Sequence, residues 1–142
     1  LGGFDTHNDQ AENLVDKFRI LDAALERFVA ELEGQGTFDA VTVATHSDVG
    51  RTLSFNGQGT DHGWAGNHFV LGGSVNGGQV LNDFIETFEF GNIMDAGRGR
   101  PIPKYPWESM MAPVAEWMGV AEPETVFPNL VNFNRSTRII AK

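Results

Sequence analysis

The chain has 142 residues, enough for one domain with a real core, and no cysteine, which excludes disulfides and thiolate metal ligands. A hydrophobic fraction of 41% against 20% charged residues argues for a folded chain rather than a disordered one. The formal net charge of −9 argues against nucleic acid or an anionic membrane as partner, and no apolar run approaches the roughly 18 residues of a membrane span.

The chain opens on Leu1-Gly2-Gly3-Phe4, which reads like the tail of a strand. It has neither the basic start nor the apolar centre of a signal peptide, so the expectation is a chain cut from a longer protein or processed. Asp5-Thr6-His7 follows. Residues 9–33 then carry Leu14, Phe18, Leu21, Leu25, Phe28 and Leu32 at alternating spacings of four and three, which predicts an amphipathic helix. Asp9 and Glu12 match a capping-box pattern, and Gly34 and Gly36 mark the end. The stripe predicts burial of Leu14, Phe18, Leu21, Leu25 and Phe28 against a sheet.

An apolar run at 40–45 predicts a buried strand, and His68-Phe69-Val70-Leu71 a second one. Between them lies a long polar segment, Thr45-His46-Ser47-Asp48-Val49-Gly50-Arg51-Thr52 and onward through Gly59-Thr60-Asp61-His62-Gly63-Trp64. Nine glycines from Gly50 to Gly78 predict irregular loop there. Residues 82–106 read as short helix or ordered loop, ending in the turn-rich Arg98-Gly99-Arg100-Pro101-Ile102-Pro103. A second helix is expected from Pro106 to Met118, with Gly119 as its stop and Pro113 as a kink or early break. Past Pro123 the chain reads as irregular. Strands alternating with helices point to one α/β domain spanning residues 1–142.

Chemistry concentrates at the expected strand ends, the usual place for sites in open α/β sheets. Asp and His together are oxygen and nitrogen ligands of divalent metals. Asp5 and His7 are an i, i+2 pair, so on extended backbone both reach one side, toward one ion, or else they sit in a solvated loop. Asp48 follows the strand as a ligand or as a turn-forming Asp. Arg51 can hold an oxyanion in a bidentate way or bridge to Asp48. His62, in a glycine-flanked loop, can coordinate a metal, whereas His46 and His68 read more simply as strand-end histidines. Trp64, Trp107 and Trp117 read as core. Asn134-Arg135-Ser136 matches a glycosylation sequon. The chain has no phosphate-binding Gly-x4-Gly-Lys-Ser/Thr loop, no His-Glu-x-x-His and no Gly-x-Ser-x-Gly.

Five ordered motifs carry a resemblance: Gly2-Gly3-Phe4-Asp5-Thr6-His7, Thr45 to Thr52, Gly59 to Trp64, Asn67 to Gly73, and Val126-Phe127-Pro128-Asn129-Leu130. Together they resemble the C-terminal part of the bacterial domain of unknown function 1501 family, which is similar to the alkaline phosphatase and sulfatase superfamily. The resemblance implies part of a three-layer α/β/α fold with a mostly parallel sheet and a two-metal site at its carboxyl edge. It implies that Asp5, His7 and His62 hold one ion and that Asp48 helps to hold a second, with Zn²⁺ or Mn²⁺ as the metal, and that Arg51 orients the substrate. Val49 stands where a second metal site would have histidine, and the superfamily's nucleophile would lie upstream of Leu1.

The resulting expectation is the C-terminal portion of a periplasmic or secreted metal-dependent hydrolase-like protein: the intact protein would act on a small phosphate or sulfate ester, and this chain alone, lacking the nucleophile, would show no turnover. No nucleic acid and no membrane insertion are expected. An acidic chain can still take an anionic substrate, because a bound metal reverses the local field. The alternative is a non-catalytic binding or structural member of the same fold. Either way, the side-chain tips of Asp5, His7 and His62 should converge on a common point.

Overall fold

The computed structural model describes residues 1–133. The Asn134-Arg135-Ser136 sequon lies outside them. Among the described residues the chain forms two helices and two separate two-stranded antiparallel sheets, an α+β arrangement with no parallel sheet. This corrects the expected three-layer α/β/α fold. Parallel strands need a crossover of a dozen residues or more, usually helical. Here the segment between the two apolar strands forms a hairpin of its own, and the strands it separates pair antiparallel.

Helix α1 spans Gln10–Gly34, close to the range the periodicity predicts. Its start differs from expectation: Asp9 has φ 45 and makes no side-chain capping bond, so Asp9 and Glu12 form no capping box. Strand β1 is Thr42–Ala44, β2 Gly50–Phe55, β3 Thr60–Gly63 and β4 Val70–Gly72. Helix α2 is Glu108–Trp117, with Pro113 inside it and Gly119 at φ 96 just beyond its end. Residues Pro123–Thr125 and Pro128–Asn132 form 3-10 turns, each started by proline at its first position. No helix among the described residues is long and apolar enough to cross a membrane.

The chain divides into two compact units. Unit 1 comprises Leu1–Phe38, Ser47–Asn67 and Ile85–Ile102; unit 2 comprises Asp39–His46, His68–Phe84 and the chain from Pro103 onward. In unit 2, β1 pairs with β4 from Thr42 opposite Gly72 to Ala44 opposite Val70. Its α2 packs with the two 3-10 turns, and Ala112, Pro123 and Leu130 are buried there.

Unit 1 contains α1 and the β2–β3 hairpin. The expected burial of the α1 stripe does not hold. Leu32 is buried and Leu14, Leu21 and Leu25 are half-buried, but Phe18 and Phe28 are 55% and 43% exposed. Periodicity fixes which residues share a face, not whether anything covers it. Neither strand of unit 1 packs along this helix. Phe4 meets Phe18 at 6.0 Å between ring centroids, and Lys17 Nζ donates to Gly2 O at 3.0 Å, which ties the first residues to the start of α1.

Candidate metal centre

The hairpin is where polar residues replace apolar alternation as the organising force. Asn56 builds its turn: the side-chain Oδ1 accepts from Gln58 N at 3.0 Å and Gly59 N at 2.8 Å, and Asn56 N donates to Gly59 O at 2.9 Å. Thr52, buried in β2, accepts from Asp61 N at 3.1 Å through Oγ1. Arg51, from the same strand, crosses to the Asp5–His7 segment. Its Nε donates to Thr60 Oγ1 at 3.1 Å, one terminal nitrogen to Asp5 Oδ1 at 2.6 Å, and the other to Thr6 O at 2.8 Å and to Thr60 O. Asp5-Thr6-His7 is thereby laid against the hairpin, with Thr6 buried.

Gly59 permits that approach, and Gly63 permits the close pairing of β2 with β3. A Cβ on Gly59 would lie 2.8 Å from the backbone of His7, and one on Gly63 would lie 2.6 Å from the backbone of Arg51. A third segment, residues 91–100, braces strand β2. Asp95 Oδ1 accepts from Gly97 N at 2.8 Å and Arg100 N at 3.0 Å, and its Oδ2 from Gly91 N at 3.1 Å. The loop so formed receives Leu53 N on Gly99 O at 2.7 Å and Ser54 Oγ on Arg98 O at 2.6 Å.

These supports bring three side chains together. Asp5 Oδ1 lies 3.0 Å from His7 Nε2 and 3.0 Å from His62 Nε2, and the two imidazole nitrogens are 3.3 Å apart. These separations are short enough for all three donor atoms to share one ion. The group could hold a metal, and all three residues are exposed, so its open side faces solvent. Beside it, Asp61 Oδ1 accepts from Asn56 Nδ2 at 3.0 Å and faces His7 Nδ1 at 3.4 Å. Arg98 lies 3.9 Å from Asp61 Oδ2.

Two carboxyls here titrate below the ordinary range. Asp5 is held down first by its hydrogen bond with His62 and then by that with Arg51. Asp61 is held down first by the Asn56 amide and then by His7. Both are therefore ionised and ready to act as acceptors.

The convergence expected for Asp5, His7 and His62 is present, although His62 lies on strand β3 rather than in a loop. Asp48 is exposed and stands outside the group. Arg51 bridges to Asp5 and not to Asp48. His46 and His68 belong to unit 2, where their ring centroids are 6.0 Å apart and His46 lies 5.0 Å from Trp107. Burial, and then His46, lower the His68 pKa. Trp64 and Trp107 are 64% and 46% exposed and so are not core. Sequence reasoning passed over Asp61, Asn56 and Asp95. For Asp61 the available signal was its place beside His62 in Thr60-Asp61-His62.

No curated protein and no solved structure matches the chain, and the alkaline phosphatase and sulfatase likeness gains no support. One family does match, over residues 1–91, a stretch that includes Asp5, His7, Asp48, Arg51 and His62. The chain belongs to the family described as protein of unknown function (DUF1501).

Proposed function

We propose that the protein holds one divalent ion, Zn²⁺ or Mn²⁺, on Asp5, His7 and His62, and that it serves hydrolysis of a small anionic ester such as a phosphate or sulfate ester. The observation that carries this reading is the triangle of donor atoms with sides of 3.0, 3.0 and 3.3 Å. Its chemistry supports an ion as much as its size does. The Asp61 carboxylate accepts only, so a hydrogen bond from His7 puts a proton on Nδ1, and in the neutral ring Nε2 is then a lone pair facing Asp5 Oδ1. Two acceptors at that distance need a cation or a proton between them.

Two imidazoles and one carboxylate are a donor set that leaves a coordination position open, as catalytic zinc sites do. A bound divalent ion would supply Lewis acidity toward an ester oxygen. The charges of Asp5 and Asp61 are balanced by those of Arg51 and Arg98, so a dication would leave this corner positive on an acidic chain. That favours a small anion. Arg51 donates to four acceptor atoms on three residues here, and we assign it to positioning Asp5 rather than to touching substrate.

Calorimetric titration of the chain with Zn²⁺ tests the reading. One ion per chain is expected, followed by metal-dependent binding of inorganic phosphate or sulfate, with both lost in His62→Ala. Zinc binding that survives in His62→Ala and in Asp5→Ala alike would refute it. Zinc binding without any anion binding would favour a structural or storage site.

A further inference from the structure

We propose that Asp61 is the positioning carboxylate of this site: it fixes the tautomer and orientation of His7 so that Nε2 faces the ion. The inference rests on the metal reading above and adds a residue to it. Metal-bound histidines commonly donate their second ring N–H to a carboxylate, which orients the ring and raises its basicity. Asp61 Oδ1 stands at that second nitrogen, 3.4 Å from His7 Nδ1.

Asp61 is itself held. Its backbone N donates to Thr52 Oγ1 at 3.1 Å, which fixes where β3 carries it. Asn56 Nδ2 donates to the same Asp61 oxygen at 3.0 Å and to His7 O at 3.3 Å. One amide thus grips both the carboxylate and the backbone of the histidine it orients, while its Oδ1 builds the hairpin turn. Arg98 approaches the other Asp61 oxygen at 3.9 Å, from a left-handed backbone at φ 60 flanked by Gly97 and Gly99. Such backbone persists only where its surroundings hold it, and here the Asp95 carboxylate does so. Asp5 has the matching arrangement on its own side, with Arg51 as its orienting partner. Each of these two ligands therefore carries its own orienting partner, and the hairpin supplies both partners.

The test measures Zn²⁺ affinity and the ¹⁵N shifts of the His7 ring in the wild type, Asp61→Asn and Asp61→Ala. A urea unfolding curve of each metal-free protein verifies that the variants fold. In the wild type without metal, Nδ1 should carry the proton and Nε2 should be bare. Asp61→Ala should weaken zinc binding by about 10–100-fold and shift His7 toward the Nε2–H tautomer. Asp61→Asn, which keeps an acceptor oxygen, should fall between the two. Unchanged affinity with an unchanged tautomer in Asp61→Ala overturns the role given to Asp61. Failure of the wild type to bind zinc overturns the metal reading beneath it, and a His7 protonated on both nitrogens that zinc leaves unaltered does the same.

Discussion

Unit 2 closes over Ala112, Pro123 and Leu130, whereas unit 1 buries Leu32 and Pro101 and otherwise mostly threonines and glycines. The buried Thr6 and Thr52 and the hydrogen bonds of Arg51, Asn56 and Asp95 take the place of an apolar core around the candidate site. A region organised this way holds polar groups at fixed positions while leaving them open to solvent. Among the described residues unit 2 brings no such group of metal-ligating side chains together. Substitutions should therefore act on stability in unit 2 and on polar geometry in unit 1.

The largest stability effect should come from Leu130→Ala, at about 2–5 kcal/mol for a fully buried aliphatic side chain, measured by denaturant unfolding. A cost under 1 kcal/mol would show that unit 2 has no packed core and would erase the contrast. Arg51→Ala should cost about 1–3 kcal/mol by stranding Thr6 O and Thr60 O, and Arg51→Lys should recover little because an ammonium cannot fork. Full recovery by lysine would mean that charge, not the planar fork, holds unit 1 together.

A smaller effect concerns acid. The backbone N–H groups of Gly91, Gly97 and Arg100 hold the Asp95 carboxyl below its ordinary value. A carboxyl depressed in the folded state stabilises above its unfolded pKa, and that contribution disappears as pH falls through the folded value. Asp5 and Asp61 are depressed as well and act in the same direction. Asp95→Asn should therefore flatten the loss of stability at acid pH by one group's share. An unchanged acid slope would contradict the bracing role of this loop. The smallest effect is expected for Leu21→Ala, below about 1 kcal/mol, since half-exposed apolar surface gains little from burial. A larger loss would indicate that something covers the α1 stripe in solution.

The two helices were legible in the sequence because spacings of four and three need no tertiary context, and Gly119 marks one of the ends through its left-handed backbone. The hairpin was not legible. Gly50–Phe55 and Thr60–Gly63 lack apolar alternation, and their glycines, which read as loop, are what lets backbones approach. The parallel sheet failed for the same reason, since the hairpin stood unseen where a crossover was assumed. Within the site, Asp5 and His7 were legible from their i, i+2 spacing, but Asp61 was not. Its role depends on the Asn56 turn, which brings it to His7 from 54 positions away.

The central claim, that two imidazoles and a carboxylate share one ion, is most directly tested by X-ray absorption of the zinc-loaded chain. The account predicts a first shell of nitrogen and oxygen at about 2.0–2.2 Å with the multiple-scattering signature of two imidazoles, reduced to one in His62→Ala. A zinc shell of oxygens alone, or one with the same imidazole count in His62→Ala, would contradict it.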